Sequence, residues 1–249
     1  EGFTEVTTPT ITSIIGACED PASLLKLDCF GRHAFLADTG QLYLEPWIGQ
    51  FGKAYTVTHS FRAERATDTR HLIEFILIEA EVQNMDLDGL LALQQRLLGA
   101  VANSLLTLPE SAEGPRLNRQ KLVQMRRPFG RLTYDEALKL LAANGNPTAW
   151  GSDLNSACEA IIAAAVAGPC FVTHFPEPIK FFNMKRDSSH PGTVQSSDLL
   201  LPGVGEASGS SVREENVEVL LSKLSDPEFN GKLRDAGASL DDFNWYLDQ

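Results

Sequence analysis

The chain has 249 residues, of which 43% are hydrophobic and 22% are charged, the proportions of a globular protein with an apolar core of ordinary size. Its formal net charge is −12, which argues against sequence-independent binding to nucleic acid, because such binding depends on Lys and Arg at the phosphates. No apolar run approaches the length of a membrane span, and the first residues do not have the pattern of a signal peptide.

The amino-terminal part of the chain predicts strands and one short helix. Residues 1–12 are rich in Thr, Val, Ile and Phe, which predicts a strand that ends near Pro9. Side chains alternate from Ala54 to Phe61 with the two-residue period of a strand. The predicted elements are a strand over 1–12, a strand region over 26–36 with a turn at Gly31, a helix over 42–50, and strands over 54–61 and 74–82.

The rest of the chain predicts helices and a few more strands. Leucines recur with helical spacing from Leu87 to Leu105, Pro109 stops the pattern, and residues 109–131 read as an irregular, basic connector. Further helices are predicted at 134–143, at 155–167 and between 214 and 247, and further strands at 170–175, 180–184 and 198–201. Long hairpins with helices around them indicate the α+β class, with a mainly antiparallel sheet flanked by helices. No glycine-rich phosphate loop of the Rossmann or P-loop type occurs.

The cysteines and most histidines suggest no site. The cysteines form no Cys-x-x-Cys pair, and no histidine stands at zinc-ligand spacing from them. We interpret them as thiols in a reducing compartment, which predicts the cytoplasm. The residues in question are Cys18, Cys29, Cys158 and Cys170. The histidines that receive no functional role are His33, His59, His174 and His190.

The chemistry of the chain is concentrated in residues 60–81, SFRAERATDTRHLIEFILIEAE. Strand alternation puts Arg62 and Glu64 on one face of the first strand. A second set shares one face of the second strand: Phe75, Leu77, Glu79 and Glu81. Charged side chains flanked by Ile and Leu are costly to bury unless they are paired or bind a ligand. From these residues alone two interpretations stay open, a solvated face crossed by salt bridges and a polyanion site with arginines at the phosphates.

The pattern FRAE…TRHLIEF…EAE resembles motif 2 of the class II aminoacyl-tRNA synthetases, in the form used by the aspartate, asparagine and lysine subgroup. The resemblance implies that Arg62 is the catalytic residue, which holds the α-phosphate of ATP and the amino-acid carboxylate. It implies that Glu64 contacts the adenine side of ATP and that Phe75 stacks on adenine. Arg70 and His71 would reach the terminal phosphates.

Three other segments are similar to the same family, so the resemblance covers nearly the whole chain. GFTEVTTP resembles the motif 1 strand that builds the family's dimer interface, which implies a homodimer. DLLLPGVGEASGSSVRE resembles the strand and loop that carry the metal ligands. There Asp198 and Glu206 would hold Mg2+ against ATP, so Glu206 also counts as ATP-binding. FPEPIKFFNMKR has the asparaginyl pattern.

The resemblance also implies how the amino acid is bound. KLDCFGRHAFLADTGQLYLE is similar to the stretch before motif 2, so Gln41 is expected beside the amino acid, together with Glu81. Glu19 would meet the α-amino group, although Asp20-Pro21 replaces two glycines of the family and stiffens that loop. Leu44 stands where the aspartyl enzymes carry a lysine. A buried carboxylate without its cation is costly, so asparagine is expected over aspartate.

The implied reaction is ATP-dependent activation of an amino acid, asparagine in first place, as an aminoacyl-adenylate for transfer to tRNA. Residues 1–249 are expected to form one catalytic domain, truncated at both ends, because the family's anticodon-binding domain and motif 3 are not found in them. One alternative is a shortened paralogue that activates aspartate or another amino acid for amidation or small-molecule ligation. The other is a non-catalytic dimerising relative, against which the retained motif 2 and metal-ligand residues argue. No membrane partner is expected.

Overall fold

The computed structural model describes residues 1–13, 23–63, 72–109 and 118–248. These residues fall into two compact units, and each unit is built from separate stretches of the chain. Unit 1 comprises residues 1–84, 181–183 and 214–249, and unit 2 comprises residues 85–180 and 184–213. The expectation of one catalytic domain over 1–249 stays a prediction.

Unit 1 begins with four short strands. They are β1 (Thr4–Glu5), β2 (Ile11–Thr12), β3 (Lys26–Cys29) and β4 (Arg32–Leu36). The prediction of one strand over 1–12 is wrong, because β1 pairs in parallel with a later strand while β2 pairs antiparallel with β4. Pro9 lies between the two and has no backbone N–H to give to a ladder. The turn at Gly31 is confirmed, since β3 and β4 form an antiparallel hairpin around it.

A helix and a long hairpin complete the amino-terminal part of unit 1. Helix α1 (Gln41–Phe51) buries Leu42 and Leu44 and contains Pro46. Strands β5 (Lys53–Phe61) and β6 (Glu74–Val82) pair antiparallel along nine residues, with Lys53 opposite Val82 and Phe61 opposite Glu74. The sheet order is β1-β5-β6. The sequence therefore predicted this hairpin correctly, and β6 has the predicted bounds.

Unit 2 places helices on both faces of a four-stranded sheet. Helix α2 (Leu87–Leu106) was expected, but residues 109–131 are not wholly irregular. They contain helix α3 (Arg119–Gln124) and the first residues of strand β7 (Gly130–Thr133). Helix α4 (Tyr134–Ala143) has the predicted bounds, because the Thr133 side chain caps it in a reciprocal capping box with Glu136. Helix α5 (Ser156–Val166) follows.

The sheet of unit 2 carries its core. Strands β8 (Cys170–Thr173), β9 (Ser196–Leu201) and β10 (Gly205–Ser211) complete the order β10-β9-β8-β7, in which only the β7–β8 pair is parallel. Every residue of β8 and β9 is buried. One face packs on α2 and the other on α4 and α5. The core on the α2 side consists of Leu87, Leu91, Phe171, Leu199 and Leu201. The core on the α4 and α5 side consists of Tyr134, Ala137, Leu141, Leu154, Cys158, Ile162, Val172, Phe175 and Leu200.

The prediction of a strand over 180–184 is wrong. A 3-10 turn at Glu177–Ile179 precedes this stretch, and Phe182 lies in a turn. The reason is aromatic packing within unit 1, where the Phe182 ring meets Phe243 and Tyr246 at centroid distances of 5.4 and 5.9 Å. These contacts hold the segment in place of strand pairing.

The last part of unit 1 is helical, as predicted between 214 and 247. The helices are α6 (Val217–Leu224), α7 (Pro227–Ala236) and α8 (Asn244–Leu247), with a 3-10 turn at Leu240–Phe243. The α+β prediction of mainly antiparallel sheets with flanking helices is confirmed. Among the described helices, none is both long and apolar enough to cross a bilayer.

Candidate functional site

Arg62 lies at the end of the β5–β6 hairpin in unit 1. Its backbone N–H donates to the carbonyl of Ile73 at 2.9 Å, so the ladder continues one residue past β5. Its guanidinium carbon lies 5.5 Å from the centroid of the Phe75 ring, a cation–π distance. The Nε atom is buried and has no hydrogen-bond acceptor among the residues that the structure describes. A buried cationic donor held in this way is suited to an anionic ligand.

Strand β6 turns two of its three carboxylates, those of Glu79 and Glu81, toward the interior of unit 1. Exposure alternates along the strand, and the more buried face carries Phe75, Leu77, Glu79 and Glu81, as strand alternation predicted. Glu79 and Glu81 are both buried. Burial raises the pKa of Glu79, and the neighbouring charges of Asp38 and Glu81 raise it further, against the lowering effect of its hydrogen bonds. This face therefore places two carboxyl groups in a poorly solvated environment.

The start of α1 is fixed to this carboxylate face. Glu79 accepts hydrogen bonds from the Thr39 hydroxyl and from the backbone N–H of Gly40, the latter at 2.8 Å. A Cβ at position 40 would stand 2.6 Å from the Thr8 hydroxyl oxygen, so any larger residue would displace the Thr8 side chain. The backbone N–H of Gln41 donates to the Thr39 hydroxyl oxygen at 3.1 Å. The structure thus ties the segment that carries Gln41 to the strand that carries Glu81.

Asp198 and Glu206 lie on adjacent strands of unit 2. Asp198 on β9 stands opposite Gly209 on β10, and a bulge follows Glu206. A Cβ built on Gly209 would lie 3.1 Å from Glu206 Oε1 and 3.7 Å from Asp198 Oδ1. Both carboxylates therefore face the same point above a residue without a side chain. The structure brings together the two metal ligands that the sequence suggested.

Lys180 also belongs to this part of unit 2, and sequence reasoning gave it no role. Its ammonium lies 3.2 Å from Asp198 Oδ2 and 4.4 Å from the centroid of the Phe175 ring. Both side chains of the ion pair are nearly buried. Strand spacing cannot reveal this pair, because Lys180 lies outside any strand. Glu79 was likewise given no role, although its alternation with Phe75 and Glu81 was a usable signal.

Four of the predicted site residues lie outside the described residues. They are Glu19, Glu64, Arg70 and His71. Of the others, Arg62, Phe75, Gln41 and Glu81 belong to unit 1, and Asp198 and Glu206 belong to unit 2.

Comparison with known proteins gives one family over the full length. The family model described as tRNA synthetases class II (D, K and N) matches residues 1–249. The asparagine–tRNA ligase of Pyrococcus furiosus is 35% identical over 250 residues, which covers all of this chain and 55% of that protein. The chain thus spans about half the length of this relative.

Solved structures agree with the family model. The asparaginyl-tRNA synthetase of Pyrococcus horikoshii, complexed with asparaginyl-adenylate, superimposes with a TM-score of 0.88 at 35% identity and covers 99% of this chain and 55% of that one. The Entamoeba histolytica asparaginyl-tRNA synthetase, also in complex with asparaginyl-adenylate, gives a TM-score of 0.83 at 31% identity over 100% of this chain and 54% of that one. Since the family model spans the whole chain, the protein belongs to the class II tRNA synthetases of the aspartate, lysine and asparagine group.

Proposed function

We propose that the protein activates asparagine with ATP as asparaginyl-adenylate and transfers the asparaginyl group to tRNA. The observation that carries the proposal is the Arg62 guanidinium, held beside Phe75 with a buried Nε that has no acceptor among the described residues. Two relatives of known structure are complexed with asparaginyl-adenylate, which supports ATP as the co-substrate. Because the chain spans about half of each relative, the activity of the whole protein is part of the proposal.

In the proposed reaction a carboxylate oxygen of asparagine attacks the α-phosphorus of ATP. A new oxygen–phosphorus bond forms, the bond from the α-phosphorus to the bridging oxygen breaks, and pyrophosphate leaves with that oxygen. Such a step asks the protein to position two anions and to neutralise charge that grows at phosphorus. Arg62 provides a planar, permanently charged donor for this purpose, and Phe75 provides the ring on which adenine would stack.

The carboxylates of unit 2 suit Mg2+. Two carboxylate oxygens that converge above Gly209 are the hard oxygen donors that this ion takes in nucleotide sites, where it keeps several waters. When bound, the ion would neutralise charge on the phosphates of ATP. In this proposal Asp198 and Glu206 hold it, and Lys180 keeps Asp198 in place through the ion pair at 3.2 Å.

The carboxylate face of unit 1 favours an ammonium group and disfavours a further carboxylate. Glu81 and Gln41 are the proposed contacts of the amino acid, and Glu79 lies on the same face of the strand as Glu81. An aspartate side chain would add a like charge to this poorly solvated environment, whereas an amide needs only hydrogen bonds. Leu44, at the position where the aspartyl enzymes carry a lysine, is fully buried and offers no cation. These charges support asparagine as the preferred substrate.

We also propose that the protein forms a homodimer and that it works in the cytoplasm. The outer face of the β5–β6 hairpin exposes Val57, Ile76 and Ile78, the last two 63% and 73% exposed, and Ile11 is exposed as well. Val57 and Ile78 stand directly opposite each other, so the apolar surface is continuous across the two strands. A sheet face of this kind is suited to burial against a second copy. The described cysteines are free thiols, which supports a reducing compartment.

The central test is amino-acid-dependent exchange of pyrophosphate into ATP, measured with the protein, Mg2+ and each of the twenty amino acids. We expect exchange with asparagine. A protein that binds ATP yet shows no exchange with any amino acid would overturn the adenylation proposal.

Substrate choice is tested by comparing the binding of asparagine and aspartate in the presence of an unreactive ATP analogue. We expect asparagine to bind more tightly. Aspartate binding equally well would move the amidating paralogue to first place.

The homodimer is tested by sedimentation. The wild type should sediment as a dimer and the Ile78→Lys variant as a monomer, and a monomeric wild type at micromolar concentration would remove this part of the proposal.

A further inference from the structure

Unit 2 contains a cluster of two imidazoles and one carboxylate that has no part in the proposed adenylation. The residues are His174, Asp187 and His190, and one ligand atom from each lies within 4.8 Å of the other two. His174 Nε2 is 3.2 Å from Asp187 Oδ2, and His190 Nδ1 is 3.6 Å from Asp187 Oδ1. The two rings stand with their centroids 4.2 Å apart.

The backbone holds the three side chains in place. His174 follows β8 directly, with a φ of 59°, a left-handed conformation that is uncommon for a residue other than glycine. The carboxylate of Asp187 accepts hydrogen bonds from the backbone N–H groups of Ser189 and His190 at 2.6 and 3.1 Å. The Asp187 N–H donates to the carbonyl of Thr193 at 2.9 Å, and the Thr193 N–H donates to the carbonyl of His190 at 3.1 Å. The loop that carries Asp187 and His190 is therefore closed on itself.

Hydrogen bonding orients the His174 ring. Its Nδ1 lies 2.8 Å from the Thr173 hydroxyl oxygen, and the same hydroxyl can donate to the carbonyl of Leu132 at 3.2 Å. When the hydroxyl donates to Leu132 it accepts from His174 Nδ1, and a neutral ring then turns the lone pair of Nε2 toward Asp187 Oδ2 at 3.2 Å. This tautomer is the one that presents Nε2 to a metal ion.

We propose that His174, Asp187 and His190 bind one divalent transition-metal ion of the zinc class. Zinc bonds to imidazole nitrogen and carboxylate oxygen are about 2.0–2.2 Å long, so neighbouring ligand atoms of a tetrahedral ion are roughly 3.3–3.6 Å apart. His174 Nε2 lies 3.2 Å from Asp187 Oδ2, which is near this spacing, and one ligand atom from each of the three residues lies within 4.8 Å of the other two. A hydrogen bond from the second nitrogen of a histidine, as His174 makes to Thr173, is the usual support of a metal-binding imidazole.

Exposure leaves a route for the ion and a fourth coordination position. The side chains of His174 and Asp187 are 10% exposed, while that of His190 is 48% exposed. Three protein ligands with a solvent-side position suit zinc with one bound water. Imidazole is a poor ligand for Mg2+, so this site differs in metal preference from the all-carboxylate pair Asp198 and Glu206.

The competing explanation is a direct contact between His174 and Asp187 with no metal, either an ion pair or a hydrogen bond from Nε2–H. Metal content distinguishes the two. Metal-free protein is prepared by dialysis against a chelator, equilibrated with ZnCl2 or MgCl2, and analysed for bound metal per chain without ATP. We expect one zinc per chain and no Mg2+ at these residues, with a zinc-dependent rise in melting temperature.

Substitutions in the cluster test which residues bind the zinc ion. His190→Ala, at a half-exposed side chain that leaves the core intact, and Asp187→Asn should each abolish stoichiometric zinc. Thr173→Val removes only the support of His174 and should weaken zinc binding roughly 10–100-fold. The matched control is His59→Asn, because His59 also pairs with a carboxylate, Glu74 at 2.8 Å, but belongs to no three-residue cluster among the described residues.

The control should bind zinc as the wild type does. Wild-type zinc uptake no greater than that of His190→Ala, or a loss in His59→Asn as large as in His190→Ala, would overturn the proposal in favour of the direct contact. The measurement needs no turnover, so it stands or fails separately from the adenylation activity.

Discussion

Replacing Arg62 with alanine separates what this side chain contributes to folding from what it contributes to the proposed reaction. In the folded protein its guanidinium contacts the Phe75 ring at 5.5 Å. Its Nε is buried and finds no acceptor among the described residues. The first feature stabilises the fold, whereas the second destabilises it. The substitution removes both at once.

The magnitudes nearly cancel for stability and do not cancel for catalysis. Loss of the cation–π contact costs about 0.5–2 kcal/mol. Removal of an unsatisfied buried donor returns about 1–3 kcal/mol. The free energy of unfolding should therefore change by no more than about 2.5 kcal/mol. A donor aimed at charge that develops in the transition state is worth about 3–4 kcal/mol, so exchange should fall roughly 10²–10³-fold.

The assay is asparagine-dependent exchange of pyrophosphate into ATP, run beside urea unfolding of the same preparations. Arg62→Lys should also lose most activity, since an ammonium does not reproduce the planar fork. Arg32→Ala, at an exposed arginine of the same unit, is the control and should retain both activity and stability. If Arg62→Ala keeps its kcat, or loses activity only in proportion to unfolded protein, the assigned role is wrong.

Three further substitutions test the structure. Gly209→Ala puts a methyl group 3.1 Å from the nearer of two flanking carboxylate oxygens and should raise the Mg2+ concentration needed for exchange. The control is Gly168→Ala, where a Cβ meets nothing within 4 Å, and it should leave the Mg2+ requirement unchanged. Equal effects of the two substitutions would contradict the proposed ion position. Leu200→Ala should lower the free energy of unfolding by about 2–5 kcal/mol, because the side chain is buried in the core of unit 2. The half-exposed Leu221→Ala should change it by less than about 0.5 kcal/mol, and similar losses at both positions would refute the assigned burial. Thr133→Ala should cost about 0.5–2 kcal/mol at neutral pH. Part of this stability depends on pH, because the backbone N–H and the hydroxyl of Thr133 lower the pKa of Glu136. The part that the hydroxyl contributes through Glu136 is present above the unfolded pKa and is lost as pH falls through the folded pKa, so an unchanged difference between wild type and variant at low pH would oppose it.

Local sequence patterns determined much of the fold. Alternation predicted β6 and its buried face, and the predicted helix at 134–143 matches α4, whose start is set by the adjacent Thr133 cap. These patterns predict an element correctly when the residues within and next to that element determine its conformation. They failed at Phe182, where aromatic contacts with residues far along the chain replaced the expected strand, and at residues 1–12, where partners on two different strands divided one expected strand into two.

The candidate sites show the same division. Resemblance to two family segments predicted Arg62 and Phe75 in one and Asp198 and Glu206 in the other, and their roles stay predictions. Only the tertiary structure brought Lys180 to Asp198 and placed His174 beside Asp187 and His190. In the sequence these histidines carry no metal-ligand pattern, since a strand end and a separate loop supply the cluster. Local spacing determines which side chains share a face, but only folding decides which distant segments meet, because burial of the whole core selects those contacts.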